Sequence, residues 1–219
     1  MNLDKKLIYA PETYQYTDHA LNEEEIEKDP FVQFNKWFKE ADDEIPESTT
    51  FSTVRLPEGR VSSRIVLLKE LDTEGFVIYS NWGTSKKSKD FETCKYASLT
   101  FFWKKLQRQV RVEGIMRKVD YKQSEEYFQT RPRGSRIGAW SSPQSQVIES
   151  RQVLEDLVKS NTEKFGDNGD IQCPEFWGGI KIIPLEIEFW QGRDSRLHDR
   201  LTFVRDDESQ PWKLNRLAP

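Results

Sequence analysis

"TTFSTVRLPEGRVSSRIVLLK", residues 49–69, is the stretch that decides the fold. Two runs rich in Thr, Val and Ile flank Pro57-Glu58-Gly59-Arg60. β-Branched residues favour extended backbone, and a Pro/Gly turn between two such runs reads as a hairpin. The same texture returns in "GFVIYS" (75–80), "YASLTFFW" (96–103), "RQVRVEGIMRKV" (108–119), "RLTFVR" (200–205) and "WKLNRL" (212–217). In 108–119, Val110, Val112 and Met116 alternate with Gln109, Arg111 and Glu113, as a strand with one buried face requires. "GGIKIIPLEIEFWQG" (178–192) adds a longer run, which Pro184 is expected to divide, because proline cannot donate to a sheet ladder.

Helices fall between these runs. Asp29 can cap and Pro30 suits a first turn, and Phe31, Phe34, Trp37 and Phe38 follow on one face. "TSKKSKDFET" (84–93) is a short helix candidate. Asp120 caps a third through "YKQSEEYFQT", which must end before Pro132. "ESRQVLEDLVKSNTEKFG" (149–166) is a fourth, with a glycine stop. No regular βαβ rhythm and no GxGxxG occurs, which argues against a doubly wound dinucleotide fold. The expected class is α+β: an antiparallel β-barrel with helices around it. Residues 1–28, polar and acidic, read as a partly mobile arm, and 29–219 as one domain.

The totals exclude several functions. A net charge of −4 speaks against a general nucleic-acid binder. No run approaches a membrane span, and the first residues lack the apolar core of a secretory signal. Two distant cysteines, Cys94 and Cys173, imply no disulfide framework and suit a reducing compartment. With only His19 and His198 beside them, no zinc spacing exists, and no metal site is expected.

Within this acidic chain the basic residues gather: Arg64 and Lys69; Lys86 and Lys87; Arg131, Arg133 and Arg136; Arg193, Arg196 and Arg200 around His198. Each cluster alone reads as a solvated face, but together they offer what phosphate esters need. Tyr127 and Arg131 share a helix face, and Pro132 and Gly134 turn the chain toward Ser135. That trio could hold a phosphate, or Arg131 could simply neutralise a helix dipole. Gln109 could read the edge of a heterocycle or face solvent. Trp190 could be core or the wall of a pocket. Arg196, His198 and Arg200, spaced by two, would face one site on an extended segment, or form an ion-pair cluster with Asp194 and Asp199. Two fixed cations would hold His198 neutral.

These residues also occur as ordered motifs. "RIVLLK", "YSNWGTSKK", "RQVRVEG", "YFQTRPRGSRIGAW", "PQS", "FWGG", "IEFWQGRDSRLHDR" and the terminal "RLAP" resemble the signature of the pyridoxamine/pyridoxine 5′-phosphate oxidases over nearly the whole chain. The resemblance implies an FMN-binding split β-barrel and a homodimer with two FMN sites at the subunit interface. It implies oxidation of pyridoxamine or pyridoxine 5′-phosphate to pyridoxal 5′-phosphate with O₂, a step of vitamin B6 metabolism, in the cytoplasm or also in mitochondria. By motif, the FMN contacts would be Arg64, Ile65, Val66, Leu67, Leu68, Lys69, Tyr79, Ser80, Lys86, Lys87, Gln109, Gln144, Ser145, Trp190 and Arg200, some of them from the partner chain. The substrate would meet Lys69, Tyr127, Arg131, Ser135, Arg196, Leu197 and His198, with Arg196 and His198 as the catalytic pair over its ring. Two features depart from the family pattern. Its basic pair is often Arg-Lys where this chain has Lys86-Lys87, and the arm has "PETYQY" where some relatives have a ligand-touching Arg.

Overall fold

The computed structural model describes residues 14–16 and 19–219, so most of the expected arm, residues 1–13, 17 and 18, lies outside the described residues. Among the described residues nine strands form one antiparallel sheet. β1 (Ser48–Arg55) and β2 (Arg60–Leu67) are the hairpin, in register from Ser48↔Leu67 to Arg55↔Arg60. β5 (Tyr96–Trp103), β6 (Arg108–Lys118) and β7 (Trp177–Gln191) extend the sheet from β1. The other edge of β7 is shared end to end: β4 (Phe76–Asn81) pairs with its first half and β8 (Asp199–Val204) with its last. β3 (Glu70–Leu71) and β9 (Lys213–Arg216) finish the two branches.

Alternation and register sort the side chains. Phe51, Leu99, Val112, Ile187 and Phe203 form one cross-strand row, and Phe101, Val110, Phe189 and Leu201 the next. All are buried, each side chain contributing about 1.5–3 kcal/mol by leaving water. α1 (Pro30–Glu40) closes this core with Phe34 and Trp37; the Asp29 carboxylate accepts from the Phe31 amide at 2.7 Å, as an N-cap should. The opposite face presents Val61, Ile65, Tyr96 and Phe102, which are exposed, and continues through Gln109, Trp190 and Arg200.

α2 (Lys86–Thr93), α3 (Tyr121–Thr130) and α5 (Arg151–Phe165) fall within the stretches expected to be helical. Three sequence expectations need correcting. Pro184 does not divide its run: β7 is continuous, because a bulge at Glu113/Gly114 sets Pro184 opposite Gly114. A Cβ on Gly114 would collide with the Ile183 carbonyl, so the close approach requires glycine. The turn expected at Pro132–Gly134 is instead the start of α4 (Arg133–Ser141), whose Ile137 packs with Phe128, Ile171, Cys173 and Trp177 in a second core. Finally, 194–196 is a turn of 3₁₀ helix with Ser195 and Arg196 at φ 56° and 65°, not an extended segment. The spacing argument that aimed Arg196, His198 and Arg200 at one point therefore fails.

The described part of the arm packs against the body. Leu21 and Ile26 are buried, and Arg216 binds both the Leu21 carbonyl and the Glu23 carboxylate. Cys94 and Cys173 are free and buried, and burial pushes the Cys173 thiol up to about 12. Among the described residues no helix is long and apolar enough to cross a membrane.

Candidate active site

A cavity of about 760 Å³ opens between β2, β4, α3 and α4. Arg64, Ile65, Val66, Leu67, Lys69, Tyr79, Ser80, Lys87, Tyr127, Arg131, Ser135 and Gln144 all line it, as the sequence motifs require. Arg64 and Lys69 share it despite their odd spacing, because β2 ends at Leu67. The Lys69 amide then donates to Val77 on β4, which carries the chain across to a new neighbour. The Lys69 ammonium lies 3.6 Å from Glu47. Leu68, between them, buries its side chain in the main core and offers a ligand none of it.

One wall is aromatic. Tyr79 and Tyr127 stack at 3.9 Å and 14°, and Trp177 continues the stack at 5.6 Å from Tyr79. The Tyr79 hydroxyl donates to Glu70 at 2.6 Å, and burial, then that carboxylate, hold its pKa well above the usual phenol value. Gln123 donates to the other Glu70 oxygen at 2.6 Å. Arg131, the residue capping α3, sits 4.6 Å above the Trp177 ring, and among the described residues its buried Nη1 has no hydrogen-bond partner. Burial lowers its pKa, although a guanidinium stays charged. A buried donor left open at the mouth of an aromatic slot is what an anionic ligand would satisfy.

Lys87 is the second cation inside. It is buried, donates to Gln144 Oε1 at 2.6 Å, and has its pKa lowered to about 8 by burial and then by Arg64. Ser80 donates to the same Gln144 oxygen at 3.2 Å. Lys86, its supposed twin, points elsewhere: successive helix residues diverge by about 100°. It lines a separate small cleft with Arg55, Thr84, Lys89 and Ser145.

The remaining motif residues form a second cluster at the other end of β7. Gln109, Trp190 and Arg200 are cross-strand neighbours on β6, β7 and β8. Trp190 packs 4.6 Å from His198, with Tyr16 edge-on to both at 5.3 Å. The Arg193 amide donates to His198 Nδ1 at 3.0 Å, so Nδ1 is the acceptor and Nε2 carries the proton. Burial, then Arg196, lowers the His198 pKa and favours this neutral form. Arg200 is held by two bonds to buried Glu188, at 2.8 and 2.9 Å. Arg196 and Leu197 stand exposed on the adjoining loop. Asn81, Thr130, Gly138, Ala139, Ser142 and Trp177 also line the cavity and were missed from sequence. Trp177 had a usable signal, the "FWGG" motif itself.

Comparison with known proteins gives the family and the fold. A family model described as "Pyridoxamine 5'-phosphate oxidase" matches residues 38–161, and one described as "Pyridoxine 5'-phosphate oxidase C-terminal dimerisation region" matches 177–219. The chain is 58% identical over 219 residues to the pyridoxamine 5′-phosphate oxidase of Saccharomyces cerevisiae, covering 98% of this chain and 96% of that one. It is 56% identical to a probable pyridoxamine 5′-phosphate oxidase of Schizosaccharomyces pombe, again over 98% and 96%. Among solved structures, PhzG from Burkholderia lata 383 superposes with a TM-score of 0.84 over 93% of this chain and 99% of that one. At 23% identity that likeness is one of fold, an antiparallel split barrel.

Proposed function

Because the chain belongs to the pyridoxamine 5′-phosphate oxidase family, we propose that two copies of it build two flavin mononucleotide sites, each completed by residues of both chains. The protein is an oxidoreductase of vitamin B6 metabolism. It converts pyridoxine 5′-phosphate and O₂ to pyridoxal 5′-phosphate and H₂O₂. From pyridoxamine 5′-phosphate, O₂ and water it gives the same aldehyde, H₂O₂ and ammonia.

The observation that carries the two-chain reading is the length of β7. Trp177 in the cavity and Trp190 in the second cluster are thirteen residues apart on one strand. At about 3.3 Å per residue, an extended strand separates them by roughly 40 Å. Within one chain the two clusters stand at opposite ends of the strand; a two-fold axis would bring the tail of one strand beside the head of its copy, twice. The exposed face supports this, since Val61, Ile65, Tyr96 and Phe102 lie on it together with Gln109, Trp190 and Arg200. The residue chemistry fits the coenzyme too, with Arg64 and buried Lys87 available for its phosphate and Gln144 beside them.

Bound flavin supplies a two-electron acceptor. The chain's own part is placement and charge. Lys69, Tyr127, Arg131 and Ser135 hold the substrate phosphate and so fix one end of the pyridine ring. Arg196 supplies a fixed cation over the ring, and neutral His198 a donor at Nε2. Gln109 and Trp190 from the second chain flank the coenzyme.

The test uses purified protein under air, with O₂ uptake on pyridoxine 5′-phosphate as the readout. With substrate held well below the wild-type KM, Arg131→Leu and Arg196→Leu should each abolish most turnover. Mixing the two variants and allowing chains to exchange should restore about one quarter of wild-type activity, since half the dimers then carry one intact site of two. No recovery after demonstrated exchange would show that both residues serve the same chain's site.

A further inference from the structure

We propose that Asp90, outside the cavity and named in no motif above, is the positioning residue that sets the phosphate-binding conformation of Arg64. The inference rests on the reading that Arg64 and Lys87 receive the phosphate of flavin mononucleotide.

Asp90 is fully buried on α2, three residues after Lys87. Its Oδ2 accepts from Thr53 Oγ1 at 2.7 Å and from Ser62 Oγ at 3.1 Å; its Oδ1 accepts from Arg55 Nε at 3.2 Å. Arg64 bonds the same two hydroxyls, Nη1 to Thr53 Oγ1 at 2.8 Å and Nη2 to Ser62 Oγ at 3.0 Å. Nη1 also reaches the Phe51 carbonyl at 3.0 Å, while Nη2 stays 3.9 Å from Asp90 itself.

The proton count gives this arrangement its direction. A hydroxyl has one proton. A carboxylate can only accept, so it claims that proton from both Thr53 and Ser62. Each oxygen is then left to accept from Arg64, and the guanidinium is locked on two sides through two bridges. A neutral amide in place of the carboxylate would carry donors of its own and could reverse either bridge.

Charge points the same way. Half-buried Arg64 lies close enough to buried Lys87 to disfavour its charge. Arg55 adds a third charge on the Asp90 side. The charged groups at the carboxylate are Arg55 and Arg64, both from the sheet; Lys87 lies three residues earlier on the same helix. One carboxylate offsets part of that charge and leaves the excess for a doubly ionised ester.

The experiment compares flavin mononucleotide with riboflavin, which lacks the phosphate, by fluorescence titration of the full-length apoprotein. Asp90→Asn should weaken flavin mononucleotide binding by about tenfold or more and leave riboflavin binding unchanged. Thr53→Val should act in the same direction, and Thr53→Ser, which keeps the bridging hydroxyl, should retain wild-type affinity. Equal losses for both ligands would overturn the proposal by showing a general structural role. Unchanged or tighter flavin mononucleotide binding in Asp90→Asn would overturn it by showing that only background charge was removed. If Asp90→Asn does not fold, the Thr53 pair decides on the same criteria. Wild-type protein that fails to prefer flavin mononucleotide to riboflavin would overturn the underlying site reading, and this inference with it.

Discussion

The guanidinium carbon of Arg131 lies 4.6 Å from the centre of the Trp177 ring, and its Nη1 is buried without a partner among the described residues. The ring steadies the cation without using its in-plane donors. Arg131→Leu should therefore raise KM for the phosphorylated substrate roughly 10- to 100-fold, the worth of a charge-assisted hydrogen-bond pair. Trp177→Leu should give a smaller rise, because the donors remain and only their support is lost. Steady-state kinetics on both variants checks the order.

Lys87 makes coenzyme binding depend on pH. Its pKa in the ligand-free fold is lowered to about 8, against about 10.4 for a free lysine. A bound phosphate stabilises the ammonium and raises that pKa, so binding above pH 8 must take up a proton. Affinity for flavin mononucleotide should be flat from about pH 7 to 8 and fall by at most about tenfold per unit above it. Lys87→Met should bind more weakly and lose that slope. For folding alone the sign is opposite: the depressed folded pKa makes this lysine a cost at pH below about 8 that disappears as pH rises toward the unfolded value. Fluorescence titration across the range, with and without the substitution, measures the first effect.

Gly114 and Pro184 face each other at the bulge, and they should respond unequally. Gly114→Ala forces a methyl into the Ile183 carbonyl and should cost about 2–4 kcal/mol. Pro184→Ala leaves the Gly114 approach open and removes only a ring that donates no hydrogen bond, so it should cost under about 1 kcal/mol. Urea unfolding of the two variants checks the difference.

Arg196 is exposed, in left-handed backbone, and its charge lowers the His198 pKa. Arg196→Leu should cut kcat/KM by roughly 10²–10³, while the yellow flavin spectrum stays with the protein. Loss of the spectrum together with activity would move Arg196 from the reaction to coenzyme retention.

Much of this architecture can be read from residue order. The β1–β2 hairpin follows from β-branched alternation around Pro57–Arg60, and three of the helices begin at Asp29, Ser85 and Asp120, whose side chains cap them. α4 resists such reading because Gly134 and Gly138 lower its helix propensity and Pro132 suggests a turn; packing of Ile137 outweighs both. The continuity of β7 was hidden for a related reason. Pro184 is tolerated only because Gly114, seventy residues away, yields room. Within the site, residues of the ordered motifs on β2, β4, α2 and α3 line one cavity, although the five-residue spacing of Arg64 and Lys69 would set them on opposite faces of a flat strand. The divergence of Lys86 from Lys87 and the positive φ of Ser195 and Arg196 are dihedral facts that a string of residue types does not carry.

β7 also fixes what this protein can tolerate through descent. The exposed loop at 206–211 can gain or lose residues at small cost, because it buries no side chain. One residue added inside Trp177–Gln191 would turn every later side chain to the reverse side and lengthen the span between its two tryptophans. That strand is a ruler, and indels should be purged from it while substitutions accumulate elsewhere.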